Sequence, residues 1–307
     1  MSLFWNHDER RLRALWRLLL QALMLGVALV GLAVLAALFS TTEGDESTLG
    51  IAACLLLIAT VWLASRLLDR RPLADLGLRI DRAWTFDCCF GVLLGVAMMG
   101  GIFVVELVAG WVAVRATPTL QVSSTRIGLA LGGAFVEFVL VAVSEELFSR
   151  GYQLRNLAEG LKGQLIGPRA ALIASVVLTA AAFAVLHLPD RNASVLSGLN
   201  TFVAGLLLAI GVIYTGRLGL PIGVHITWNF TQGPLLGFAV SGNAPRVALL
   251  TTDTHGPALW TGGEYGPEGG LLATVTFSIA IVLTLAWIRV RCGPLRLRTA
   301  LTAYRRR

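Results

Sequence analysis

The chain has 307 residues, a formal charge of +7, 56% hydrophobic and 14% charged residues, and a mean hydropathy of +0.74. A soluble domain averages about 25% charged residues, so this surface is built for a bilayer and not for water. Of 25 basic residues 24 are Arg, clustered at the ends of apolar runs and not spread in a stripe, which excludes a nucleic-acid footprint. The four cysteines, Cys54, Cys88, Cys89 and Cys292, show no CxxC or Cys/His metal spacing and read as small membrane hydrophobes.

A helical span needs about 20 apolar residues, at ~1.5 Å rise per residue across a hydrocarbon core of ~30 Å. Eight stretches meet this, near 14–39, 48–65, 86–112, 127–149, 168–188, 195–215, 219–240 and 270–290. They are expected to be helices, because a backbone in lipid must satisfy its own hydrogen bonds. The fold expected is therefore all-α: a polytopic membrane bundle of about eight helices, forming one domain over residues 1–307. The first stretch, with Arg10, Arg11, Arg13 and Arg17 around its start, is too long for a signal-peptide core and reads as a retained anchor.

With the N-terminus inside, the inner segments collect 21 Lys and Arg and the outer loops only Arg115, Arg126, Arg191 and Arg246. This bias predicts two cytoplasmic termini. The Arg-rich, nearly Lys-free composition points to a bacterial cytoplasmic membrane. An acidic loop with Glu43, Asp45 and Glu46 is expected outside, and so is a Gly-, Pro- and Thr-rich loop at 241–269. The segment Leu76-Gly77-Leu78-Arg79 reads as an interfacial anchor, and 292–307 as a basic cytoplasmic tail held by anionic lipid.

Ionisable groups at bilayer depth are costly and mark function by default. Three clusters stand out: Ser144-Glu145-Glu146-Leu147-Phe148-Ser149-Arg150 ending span four, Phe183 to His187 ending span five, and His225-Ile226-Thr227-Trp228-Asn229 in span seven. Glu146 and Arg150 are four apart, in the order that favours a helical ion pair. Glu145 is rotated ~100° from Glu146 and keeps a free carboxylate, poised as a base. His225 and Asn229 share one helix face and can aim two donors at a single oxygen. His187 is the remaining partner for Glu145. Glu106 and Glu137 also lie inside spans and take no catalytic role. Singly, each cluster fits an interfacial anchor or interhelical packing; together, on three spans, they describe a site.

In combination EExxxR (Glu145, Glu146, Arg150), FxxxH (Phe183, His187) and HxxxN (His225, Asn229) resemble the motifs of the CAAX prenyl protease and bacteriocin-processing family, CPBP or Abi, of intramembrane endopeptidases. The resemblance covers a core at about 125–240. It implies that Glu145 and His187 activate water, that His225 and Asn229 hold the oxyanion, and that Glu146 and Arg150 support the site. It further implies a membrane-anchored protein or hydrophobic peptide as substrate, in CAAX-type processing or bacteriocin-related maturation or immunity. The resemblance favours metal-free catalysis; Glu145, His187 and His225 nevertheless have the ligand chemistry of a His₂Glu zinc site, although no HExxH occurs. Other readings of the same residues are a non-catalytic scaffold or immunity protein and a proton-coupled transporter. Assembly of the site carries a condition of depth: Glu145 reaches the level of His187 only if its helix runs on to about Gly160 or Leu161.

Overall fold

The structure, a computed structural model, describes residues 3–38, 45–116, 124–163 and 165–304. Glu43 and the side chains of Asp45 and Glu46, expected on an acidic outer loop, lie outside the described parts, as do residues 305–307 of the tail. A short hairpin of β1 (Trp5–Asn6) and β2 (Arg11–Leu12) leads into α1 (Ala14–Leu38), α2 (Asp45–Leu67) and α3 (Arg82–Val108). Strand β3 (Val112–Ala116) follows, then α4 (Ser124–Glu146), a π-helical stretch Leu147–Gln153, and α5 (Leu154–Leu161). Next come α6 (Pro168–Leu186), α7 (Val195–Thr215), α8 (Gly219–Phe230), β4 (Leu250–Thr254), the short α9 (Ala258–Thr261) and α10 (Leu271–Cys292).

Seven helices among the described residues are long and apolar enough to cross a bilayer, the continuous helix at 126–161 being the longest at 36 residues. Their apolar side chains point outward as well as inward: Leu15, Leu23, Val27 and Val30 of α1 are each more than 60% exposed. Such faces have no place in water, and lipid is the solvent they fit. The protein is an integral membrane helical bundle.

The expected seventh span, at 219–240, is shorter than the sequence suggested. Helix α8 covers 12 residues and passes into a π-helical turn, Thr231–Leu235, that contains Pro234. Proline removes a backbone donor and Gly237, at φ +76°, turns the chain away. What remains of α8 is enclosed by protein instead of lipid, with Ile222, Val224 and Trp228 all buried.

Close backbone approach sets α8 against α3. A Cβ on Gly91 would collide with the Leu220 carbonyl, and one on Gly223 with the Cys88 carbonyl. Small residues at such crossings are how membrane helices gain van der Waals contact without a hydrophobic drive.

The far end of the 126–161 helix is tied down by buried charge. Glu159 receives Arg11 at 2.8 Å, Arg17 at 3.1 Å and Arg71 at 2.7 Å, while Asp69 receives Arg17 at 2.5 Å and Asn156 at 2.9 Å. Arg11 and Arg17, expected to flank the first span at the membrane surface, are thus interior residues. The described part of the tail is likewise docked on protein: Arg11 stacks 3.7 Å above the Tyr304 ring, and Leu301 and Thr302 are buried. Nor is the Leu76–Gly77 segment a surface anchor. Leu76 is buried, and the Gly77 carbonyl accepts from the Leu218 N–H at the start of α8 and from Trp84 Nε1. In each case a paired or satisfied group found a protein partner where lipid or water had been expected.

The loop at 241–269, expected outside, is also structured. Its strand β4 pairs antiparallel with β3, and short 3₁₀ turns at Gly263–Tyr265 and Pro267–Gly269 lead into α10.

Candidate active site

The helix carrying Glu145 continues without a break to Leu161, which meets the depth condition. Just beyond the two glutamates it widens into the π-helical stretch Leu147–Gln153. A wide turn of this kind is a frequent feature of functional helices. A second one, Thr231–Leu235, follows the His225–Asn229 pair on α8.

Glu146 and Arg150 form the expected ion pair at 2.8 Å, both side chains fully buried. The guanidinium also lies 4.3 Å above the Phe183 ring of α6 and reaches the Gly205 carbonyl of α7. One ion pair thereby joins three helices. The oxygen of Glu146 held by Arg150 also meets His225 Nδ1 at 3.0 Å. A carboxylate can only accept, so Nδ1 carries the hydrogen and Nε2 turns to the cavity. There Nε2 lies 3.8 Å from Oε2 of Glu145. That oxygen has no hydrogen-bond partner among the described residues, in keeping with the rotation between the two glutamates.

His187 caps the C-terminus of α6. Its Nδ1 lies 2.7 Å from the Phe183 carbonyl one turn back. Here too the acceptor is unambiguous, so the ring keeps Nε2 free. Asn229, one turn beyond His225, is buried, and its side chain has no hydrogen-bond partner among the described residues.

Glu145, His187, His225 and Asn229 all line one cavity of about 990 Å³, with Phe183 in its wall. The nearest imidazole to Glu145 is that of His225, on the helix expected to face the oxyanion. Glu137 lines the same cavity and accepts from Ser47 Oγ at 3.0 Å. Glu106 lies elsewhere, buried, and neither carboxylate oxygen has a partner among the described residues. Among the described residues no three His, Cys, Asp or Glu side chains come together in a way that could hold a metal ion. Glu145, His187 and His225 line one cavity without forming such a group.

Two cavity residues escaped the sequence reading: Asp190, three positions after His187, and Glu268, near the start of α10. Asp190 could have been noticed from its proximity in sequence. Glu268 carries no local signal, since only tertiary folding brings it to the site.

Bilayer-length helices around a buried acid–imidazole cavity define a polytopic membrane protein with an intramembrane polar site. Residues 127–231 match the family model described as type II CAAX prenyl endopeptidase, Rce1-like. The matched segment, about a third of the chain, contains all three motifs, and its similarity is to the CAAX-protease family they resemble. That model describes an endopeptidase. Comparison with curated proteins and with solved structures gives no match.

Proposed function

We propose that the protein is an intramembrane endopeptidase that hydrolyses a peptide bond of a membrane-anchored protein or hydrophobic peptide, with Glu145 as its base. The observation that carries this reading is the meeting of Glu145, His187, His225 and Asn229, from three helices, on one cavity within the matched segment.

In this mechanism a water sits between Glu145 and His187 Nε2. Glu145 takes its proton while the water oxygen adds to the carbonyl carbon, and the carbonyl oxygen becomes an oxyanion. Asn229 Nδ2–H and His225 Nε2–H donate to that oxyanion; the second donation requires a proton on both nitrogens of His225. Glu145 then gives its proton to the amide nitrogen, the C–N bond breaks, and an acid and an amine result. Glu146 fixes His225 through Nδ1, and Arg150 fixes Glu146. The Arg and Lys bias would place both termini on the cytoplasmic side, in a bacterial membrane, with residues 1–307 acting as one membrane domain. No metal enters the scheme.

The test uses the full chain in detergent with a membrane-anchored peptide library. Glu145→Ala, His187→Ala and His225→Ala should each lose cleavage by at least about 10²-fold while remaining folded, and a chelator should leave the wild type active. Normal cleavage by all three folded variants would overturn the proposal. It would leave a scaffold or immunity role.

A further inference from the structure

The cavity around Glu145 is longer than the mechanism above needs. On α4 its lining runs from Ala130 to Glu145 and ends there; beyond it Glu146, Leu147 and Arg150 are buried in protein. The unused part of the α4 wall therefore lies toward the start of that helix. Its side chains are small at Ala130, Gly133 and Ala134, and a Cβ on Gly133 would meet nothing within 4 Å. The start of α2, through Ser47 and Ile51, and the turn at Ser241 and Asn243 line the same space. An extended peptide has room to lie along this wall.

One charge interrupts the wall. Glu137 is the only charged residue between Arg126 and Glu145, and it faces the cavity. Ser47 Oγ of α2 donates to its Oε2 at 3.0 Å, and no Lys, Arg or His among the described residues pairs with it. A carboxylate inside a span is costly unless it is paired, so such a group marks a ligand path by default. A single hydroxyl offsets only part of that cost, and a cation would offset more. Eight residues separate Glu137 from Glu145, about 12 Å along the helix axis. An extended chain covers that distance in three or four residues, at ~3.3 Å each.

We propose that Glu137 is a specificity-determining residue, the subsite for a Lys or Arg side chain of an extended peptide lying along α4. The cation would stand three or four residues from the bond presented to Glu145. The substrate class narrows accordingly, to a hydrophobic membrane-anchored peptide with a cation at a fixed distance from the cleavage point. This rests on the reading of Glu145 as the base of a peptidase.

The experiment uses the full chain in non-ionic detergent, in a Glu145→Gln background so that binding is read apart from cleavage. The probes are Leu- and Ala-rich peptides with a neutral fluorophore and a single Lys, compared with peptides that have norleucine in its place. The Lys peptide should bind about 10-fold more tightly, as expected for one charge-assisted hydrogen bond taken out of water. Glu137→Gln should erase the difference, and Glu137→Lys should transfer the preference to a peptide with Glu at that position. Ser47→Ala, which removes the hydroxyl and leaves the carboxylate, should retain the Lys preference. With Glu145 restored, cleavage should fall three or four residues from the Lys. Equal binding of the two peptides, a Lys preference that survives Glu137→Gln, or cleavage at other spacings would overturn the proposal and leave Glu137 as a contact between α2 and α4. A Lys preference in a protein that cleaves nothing would support the subsite and sink the peptidase reading, so the two failures are distinguishable.

Discussion

His225 Nδ1 and Arg150 Nη1 converge on a single oxygen, Oε1 of Glu146, at 3.0 and 2.8 Å. A cation on the same helix and an imidazole on another are thus held by one buried carboxylate, which sets the face that His225 shows to the cavity.

Removing that carboxylate leaves a buried guanidinium uncompensated. Glu146→Ala should cost about 3–5 kcal/mol of stability, read as a lowered unfolding midpoint in detergent. Glu146→Gln should unfold less readily, yet still lose activity, because its amide cannot hold both partners as an anion does. A Glu146→Ala protein as stable as wild type would show that Arg150 finds another acceptor.

The Asn229 side chain has no hydrogen bond to lose among the described residues. Asn229→Ala should therefore leave the unfolding midpoint almost unchanged and lower kcat by about 10²–10³-fold, the usual cost of deleting one oxyanion donor. A change confined to KM would assign Asn229 to substrate binding instead.

The α3–α8 crossing should be intolerant of bulk. Gly223→Val would force a side chain onto the Cys88 carbonyl, at a cost of about 3 kcal/mol. Because α8 bears His225, activity should fall with stability. Gly100→Val, at a position with open space around it, is the control and should do neither.

Stability should also depend on pH through Glu268. Burial raises its carboxyl, so the folded state holds this proton to a higher pH than the unfolded chain does. Below the unfolded value both states are protonated and the group contributes nothing. As pH rises the unfolded chain ionises first, so stability falls until the folded carboxyl has also ionised. Glu268→Gln should flatten this decline as pH rises above the ordinary glutamate range, measured as unfolding midpoint against pH. An unchanged slope would refute the assignment.

What the sequence determined by itself is what chain-local physics controls. Seven of the eight apolar stretches became bilayer-length helices, because an uninterrupted apolar run in lipid has no other way to satisfy its backbone. The Glu146–Arg150 pair and the free Glu145 carboxylate follow from helical spacing alone, so they could be read directly. The seventh stretch, at 219–240, is shorter than its hydropathy suggests, because hydropathy does not register how Pro234 and Gly237 interrupt a helix enclosed by protein. Burial of Arg11 and Arg17 was invisible for a related reason. An arginine near a span end looks the same whether it meets a phosphate or, as here, Asp69 and Glu159 brought from far along the chain. Only the tertiary structure decided that His225 would be the imidazole nearest Glu145, and that Glu268 would enter the cavity. Both depend on long-range packing of helices and turns, and no pattern of neighbouring residues encodes it.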